Sequence, residues 1–337
     1  MKKAATIRDV AARAGVSVSV VSRVLNGTGP VAPAKRAKVL EAIEALDYRP
    51  RAAARQLSQG HSDTIGLLLA DLTNPFFARL ADRVVAEARS RGLQILLMTT
   101  QEDPHLEGQA LETLLDRSVG GMIGTPTGHN VERWDKLTSL GIPVVFVDRA
   151  ITELDQMDVV SIENVRSAAT ATRHLLDHGH RRIGIISGPL DTTTGLERVR
   201  GYEDALRDYG VTRDARLVRP APFRGDRGAE VVARMLALED PPTSLVVANT
   251  AQVRVVLRML AQARVSIPDD LSVVVFDDNP WTELIQPPLT VVRQPIDMLA
   301  LHSVELVHAR KRQLLPPAPR HIRVAAEFLE RSSTASI

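Results

Sequence analysis

From residue 63 onward, short apolar runs alternate with stretches of helical periodicity, and that alternation leaves few folds open. The apolar runs cover 64–69, 93–98, 121–124, 144–147, 159–162, 183–186, 244–247 and 271–276, and helical stretches lie between them at 75–91, 106–116, 164–178, 196–209, 227–238 and 252–261. A strand that is apolar along its whole length is buried on both faces, which requires parallel strands joined by crossover helices that cover the sheet. About a dozen such elements are too many for one small sheet. The expectation is therefore an α/β body in two lobes.

The first 60 residues follow another pattern. Ile7, Val10, Ala11 and Ala14 repeat at helical spacing, Gly15 interrupts, and a second periodic run passes through Val16, Val20, Val21, Val24 and Leu25. Two short helices joined at a glycine form a helix-turn-helix, with Ser17 placed to cap the second helix. Val20, Val21, Val24 and Leu25 include the face that packs inward. Val18, Ser19, Ser22 and Arg23 project outward near the helix start, where a major-groove reader carries its side chains. Arg23 can donate two hydrogen bonds to a guanine, Ser19 can donate or accept, and Val18 can touch a thymine methyl. A third helix runs from Pro33 to Leu46, with Val39, Leu40, Ile43 and Leu46 as its buried stripe, and Tyr48-Arg49-Pro50 ends it.

Charge supports nucleic acid as the partner of this end. Eleven basic and four acidic residues through residue 60 give +7, which leaves −5 on the remainder of a chain whose total is +2. A basic head on an acidic body directs polyanion binding to one end. Of the 337 residues none is cysteine, so disulfides and thiolate chemistry are excluded, and 44% are hydrophobic, enough for proper cores. Met1-Lys2-Lys3 leads into a polar helix rather than an apolar signal stretch, so a soluble cytoplasmic protein without membrane partners is expected.

The N-terminal run D-V-A-x-x-A-G-V-S (Asp9 to Ser17), then V-S-R-V-L-N-G (Val21 to Gly27) and Y-R-P (Tyr48 to Pro50), resembles the LacI/GalR family of bacterial transcription regulators. The resemblance continues through D-L-T-N-P-F-F (Asp71 to Phe77), H-G-H-R-R-I (His178 to Ile183), S-G-P (Ser187 to Pro189), Arg198 with Gly201-Tyr202, Ala248-Asn249, and Phe276-Asp277-Asp278 followed by Pro288-Leu289-Thr290. It implies a three-helix head at 1–48, a hinge helix within 49–61, and a two-lobed core at 62–337 of the type I periplasmic-binding-protein kind. Crossings between lobes near Ile162, Val291 and His321 would give a first lobe of about 62–162 and 292–320 and a second of about 163–291 and 321–332.

On the same resemblance, Thr6, Ser17, Val18, Ser19, Ser22, Arg23 and Asn26 meet DNA from the head. Arg51, Ala54, Arg55 and Leu57 meet it from the hinge, with Leu57 wedged into the minor groove. An eight-residue hinge helix is far shorter than the roughly 12–15 residues at which isolated helices become marginal, so it should order only on DNA. Val20 stands where the family usually has threonine, Ala32 where it has a capping serine, and Arg51 where it has asparagine.

The implied ligand pocket comprises Asn74, Phe76, Thr125, Asp148, Arg198, Phe223, Asn249 and Asp277. Carboxylates that accept hydroxyls, an arginine fork, amides and aromatic faces together suit a sugar or sugar-like polyol. Thr250, Val275 and Glu163-Asn164 depart from the family's frequent aspartate, glycine and Asp-Asn. Strand-end asparagines and aspartates also commonly do no more than cap the following helix.

The function expected is a repressor acting on a pseudo-palindromic operator as a homodimer, with a small-molecule effector and no cofactor. No apolar heptad tail that could join dimers into tetramers follows Leu329 to Ser333. The alternative is a sugar-binding protein or sugar-modifying enzyme with an incidental basic N-terminus, but no signal stretch, G-x-S-x-G, H-E-x-x-H or Gly-rich nucleotide motif is present. Asp277 and Asp278 sit next to each other on a strand end and so point to opposite sides. His178 and His180 have metal-ligand chemistry, yet they end a helix with no third ligand in sequence, so no metal is expected and a structural role is favoured. Trp134 and Trp281 read as packing residues.

Overall fold

Thr6 opens the head. Its hydroxyl accepts from the Asp9 N–H at 3.4 Å while the Asp9 carboxylate accepts from the Thr6 N–H at 2.7 Å, a reciprocal capping box that starts helix α1 (Ile7–Ala14). Gly15 ends that helix at φ +64°, and its N–H returns to the carbonyls of Ala11 and Ala12, a left-handed closure that glycine adopts without steric cost. Helix α2 (Val18–Asn26) and helix α3 (Pro33–Ala45) complete the bundle around Val10, Ala14, Val21, Val24, Val39, Ala42 and Tyr48. Ala32 offers α3 no side-chain cap, and Pro33 begins it.

The buried stripe of α3 differs from expectation at one residue. Val39 and Ala42 are buried and Ile43 and Leu46 pack partly against them, but Leu40 is 52% exposed. At about 100° per residue, position 40 lies outside the arc that 39, 42, 43 and 46 define, and Ala42 takes its place.

The computed structural model describes residues 5–26, 29–48 and 62–337, and the chain divides into two units, Met1–Ser62 and Asp63–Ile337. The hinge positions Arg51, Ala54, Arg55 and Leu57 lie outside the described residues, as does the side chain of Asn26.

The second unit is built on two six-stranded sheets. The first contains β1 (Thr64–Leu69), β2 (Gln94–Thr99), β3 (Met122–Gly124), β4 (Val144–Val147), β5 (Asp158–Ile162) and β11 (His321–Val324), in the order β11-β5-β4-β3-β1-β2. Every pairing in it is parallel. The second contains β6 (Ile183–Ser187), β7 (Val218–Pro220), β8 (Ser244–Val247), β9 (Ser272–Phe276), β10 (Thr290–Arg293) and β12 (Glu327–Leu329), in the order β12-β10-β9-β8-β6-β7. Only β12 runs antiparallel to its neighbour. The interior residues of β1, β3, β4, β6, β8 and β9 are buried, as their unbroken apolar runs require.

Strand order reverses between β1 and β3 in one sheet and between β6 and β8 in the other. Open parallel sheets place ligands at the carboxyl ends of the strands at such a reversal. The described crossover helices include α4 (Pro75–Ser90), α5 (Pro104–Asp116) and α6 (Val131–Ser139) in the first lobe. Those of the second include α7 (Asn164–Asp177), α8 (Thr193–Asp208), α9 (Arg227–Leu236) and α10 (Thr250–Gln262). Helix α11 (Ile296–Lys311) returns the chain to the first lobe, where it packs on α4 and on β4 and β5. Among the described residues no helix is long and apolar enough to cross a membrane.

Two lobe boundaries differ from expectation. β10 keeps Thr290–Arg293 in the second sheet, so the second crossing falls at Gln294-Pro295 rather than at Val291. β11 pairs in parallel with β5 from His321↔Val159 to Val324↔Ile162, so residues 321–324 belong to the first lobe and the third crossing falls at Ala325-Ala326. β11 is an edge strand whose residues alternate between exposed and half-buried, a pattern that suits the edge of either sheet.

Helices α7 and α8 meet at backbone distance where Gly201 faces Val165. A Cβ on Gly201 would stand 2.0 Å from the Val165 carbonyl oxygen. Backbone cannot yield as a flexible side chain does, so Gly201→Ala should destabilise the body by about 1–3 kcal/mol. The check is the shift in denaturant midpoint at unchanged slope; an unshifted midpoint would mean that the two helices slide apart freely.

Candidate functional site

Two surfaces carry the chemistry expected of the sequence. On the head, Val18 is 41% exposed and Ser19 and Arg23 are exposed, with Ser22 half-buried beside them, while Val21 and Val24 turn inward. The Ser17 carbonyl accepts from Val20 and Val21 as α2 begins, and its hydroxyl lies 2.8 Å from that of Ser19. Arg23 is steadied by Nε donating to the Ser19 carbonyl at 3.4 Å. Thr6 is exposed but its hydroxyl serves the capping box. The result is a helix start with a charged fork, two hydroxyls and a methyl-bearing side chain outward, the inventory that reads base edges.

The other surface is a cavity at the carboxyl ends of both sheets. The first lobe supplies Asn74, Phe76, Phe77, Glu102, Asp148 and Arg149, the second Thr194, Arg198, Phe223, Asn249, Thr250 and Asp277, and Gln294 sits at a crossing between them. Seven of the eight expected pocket residues line it. Thr125 does not: it is fully buried, and its hydroxyl donates to the Val147 carbonyl at 3.1 Å inside the sheet.

Two of the seven are held by their own backbone surroundings. The Asn74 side chain caps α4 by accepting from the Phe76 N–H at 3.1 Å. Asn249 caps α10 through Ala251, and its amide donates to Ala221 at 3.0 Å and Pro222 at 3.3 Å. Their amides shape the walls while their lone pairs are largely spoken for.

The charged residues are arranged around Arg198, which is 5% exposed. Its Nε donates to Asn164 at 2.9 Å, an Nη donates to the Ala248 carbonyl at 3.0 Å, and the guanidinium lies over the Phe276 ring at 4.4 Å. Asp277, at φ +72°, accepts from the Thr250 hydroxyl and from Gln294 Nε2 at 2.7 Å. Burial pushes its carboxyl up, against the pull of Thr250, Arg198 and Gln294. Asp148, also at φ +72°, is pushed up to about 6 by burial, with Arg198 and Arg149 pulling the other way. Among the described residues none donates a hydrogen bond to the Asp148 side chain.

Four further wall residues were not legible from the sequence. Arg149 is 3% exposed, donates to Glu102 at 2.6 Å and lies over the Phe223 ring at 4.8 Å, yet among the described residues its Nε has no partner. Thr194 Oγ1 and Gln294 Oε1 are likewise buried without a partner among the described residues. Buried polar atoms are nearly always hydrogen-bonded, so these three atoms around one cavity are candidates for pairing with a bound molecule.

Residues 62–313 match the family model of periplasmic binding proteins and the sugar-binding domain of the LacI family, and residues 6–51 match that of bacterial regulatory proteins of the lacI family. The chain belongs to the LacI family. It is 33% identical over 306 residues to the ribose operon repressor of Escherichia coli K12, covering 90% of this chain and 92% of that one. A solved complex of the transcriptional regulator CelR with cellobiose shares 29% identity and a TM-score of 0.75, over 98% of this chain and 99% of that one. The lac repressor dimer bound to operator and the anti-inducer ONPF shares the fold at a TM-score of 0.84, with 23% identity over 99% of this chain and 100% of that one. This LacI-family chain thus has a DNA-binding helix-turn-helix and a sugar-binding-type core, and the relatives named are transcriptional regulators.

Within that framework the two adjacent acids of the LacI-family chain part company. Asp277 faces the cavity. Asp278 turns away to accept from the Thr282 hydroxyl at 2.7 Å and to pair with Arg293 at 2.6 Å and Arg331 at 2.9 Å, and against the opposing effect of burial these three hold its carboxyl below the usual range. His180 bonds Thr243 at 2.9 Å and the Ala335 carbonyl at 3.1 Å, a structural role. Trp134 is fully buried, edge-on to Phe146 at 5.1 Å, with Nε1 donating to Glu107 at 3.2 Å.

Proposed function

We propose that this LacI-family protein is a cytoplasmic transcription repressor that binds a pseudo-palindromic operator as a homodimer, and that a sugar or sugar-like polyol in the interlobe cavity sets its operator affinity. The observation that carries the ligand reading is the set of buried atoms around the cavity that lack a partner among the described residues, Arg149 Nε as donor, Gln294 Oε1 as acceptor and Thr194 Oγ1 as either, with the Asp148 carboxylate beside them as a further acceptor. A hydroxyl also does either, so a molecule with several hydroxyls pairs with all four, and Phe76 and Phe223 offer aromatic faces for its C–H side. The names of the relatives agree with this class: one is a ribose operon repressor, another was solved with cellobiose.

Control follows from how the lobes meet. Arg79 donates to the Asp278 carbonyl at 3.3 Å, and Arg224 reaches the Gln101 carbonyl at 3.1 Å and Asp71 at 3.1 Å. These are polar, partly exposed contacts, each of small net worth, so the closure of the lobes is easily biased. A ligand that bonds both walls favours one separation of the lobes by its differential affinity for it. Electrophoretic mobility shift on DNA from upstream of the protein's own gene, with and without ribose, cellobiose and other mono- and disaccharides, tests the reading. A specific shift altered by one sugar class is expected; a shift indifferent to every sugar would remove the polyol.

Acid should weaken that ligand. Asp148 is ionised above about pH 6, and in that form accepts hydroxyl protons from the ligand. Protonation below that pH removes the acceptor, so affinity should fall about tenfold from pH 7 to pH 5. Calorimetric titration of the active sugar across this range checks it. A flat profile would take Asp148 out of the ligand's contacts.

A further inference from the structure

His178 gains in three dimensions the partners it lacks in sequence. It follows α7 directly, its N–H donates to the His174 carbonyl at 3.2 Å, and the two imidazoles lie with ring centroids 4.3 Å apart. Glu330, just after β12, brings its carboxylate to 3.9 Å from His174 Nδ1 and 3.9 Å from His178 Nε2. One ligand atom from each of the three residues falls within a group no more than 4.8 Å across.

The remaining ring nitrogens are already engaged. His178 Nδ1 is 2.8 Å from the His174 carbonyl, which can only accept, so Nδ1 carries the proton and Nε2 of the neutral ring is a bare lone pair. His174 Nε2 is taken up by the Thr334 hydroxyl at 2.9 Å, which leaves Nδ1 as its free nitrogen, and the ring is wedged against Phe328 at 5.0 Å. Metal-binding histidines are oriented in this way, by a hydrogen bond at the nitrogen that does not bind. Both free nitrogens then face a carboxylate for which the described residues supply no hydrogen-bond donor.

From this arrangement we infer that His174, His178 and Glu330 form a binding site for a divalent transition-metal ion such as Zn²⁺. Two imidazoles and one carboxylate are a ligand set that Zn²⁺ accepts, with a fourth position left to water. Tetrahedral coordination at about 2.0–2.1 Å places ligand atoms about 3.3 Å apart. The two 3.9 Å separations need an inward movement that the Glu330 side chain, 61% exposed, is free to make, and the widest separation in the group, up to 4.8 Å, closes only if the imidazoles also shift toward each other. The ion would tie the end of α7 to the segment that follows the third crossing, where β12 and the C-terminal residues lie on the second lobe. It is separate from the interlobe cavity, since none of its three residues lines that cavity.

The test uses the untagged full-length protein, freed of metal with a chelator. Zn²⁺ is titrated by calorimetry, and Co²⁺ by visible absorption, whose band intensity reports four-coordinate nitrogen and oxygen ligation. One ion per chain is expected, with His178→Ala and Glu330→Gln each weakening affinity at least tenfold and dimming the Co²⁺ bands. Both side chains are partly exposed, so these variants keep the fold; His174→Ala, whose ring is more buried, is read only alongside a circular dichroism check. Binding unchanged in both His178→Ala and Glu330→Gln would place the ion elsewhere and overturn the site. So would no binding at 100-fold excess Zn²⁺.

Discussion

Arg23→Ala is expected to weaken binding to the specific operator by about 1–3 kcal/mol per half-site, and the proposed dimer would meet two half-sites. The structure supplies the reason: Arg23 stands exposed on the outward face of α2, and among the described residues its side chain makes a long hydrogen bond from Nε to the Ser19 carbonyl. Its terminal guanidinium nitrogens are thus available for a bidentate contact with a guanine edge. Because Val21 and Val24 on the opposite face are untouched, the head should fold as before. Competition mobility shift against random DNA separates the possibilities. A loss confined to specific DNA is predicted, whereas equal losses on both would reduce Arg23 to a phosphate contact.

Asp148→Asn is expected to make the ligand-free protein more stable at neutral pH while removing its response to ligand. The Asp148 carboxyl is held at about 6 in the folded chain against an ordinary 3.8, chiefly by burial. A raised folded-state value means that Asp148 contributes stability below about pH 4, and that this is lost as pH rises through about 6. At pH 7.5 the buried charge therefore costs about 3 kcal/mol, taking about 1.4 kcal/mol for each pH unit. Asparagine keeps the shape without the charge. Denaturant unfolding at pH 7.5 should show the variant more stable by up to that amount, and the difference should shrink below pH 4. Ligand affinity should fall at least tenfold in the same protein, the exchange of stability for function expected of a binding site. A variant less stable at pH 7.5 would mean that Arg198 and Arg149 repay the carboxylate in full.

The division of the chain into a three-helix head and an α/β body was legible because both patterns are periodic and the strands are apolar throughout. β11 was not assigned to its lobe because His321, Ile322, Arg323 and Val324 alternate as any edge strand does, and the choice of sheet is made by pairing with β5. Leu40 is hydrophobic yet exposed because its angle on the helix carries it outside the inward arc, which Ala42 fills instead. In the pocket, strand ends were found but side-chain direction was not. Thr125 directly follows β3, yet its hydroxyl turns back to the Val147 carbonyl of the neighbouring strand β4. Arg149 belongs to none of the motifs in the sequence, and it is the packing of Phe223 and Glu102 around it that makes it a wall residue. Glu330 meets His174 and His178 through the return of the chain to the second lobe, which no local spacing encodes.

The proposed control of the helix-turn-helix by a ligand in the interlobe cavity is exerted on operator affinity. Its most direct test is operator affinity by mobility shift for wild type and Asp148→Asn, each with and without the sugar that binds wild type. Wild-type affinity should change at least tenfold on adding the sugar. Asp148→Asn should bind operator as wild type does without sugar, because the substitution lies in the unit that does not carry the helix-turn-helix, and its affinity should stay there when saturating sugar is added. A variant that has lost sugar binding by calorimetry yet still answers the sugar on DNA would contradict that control.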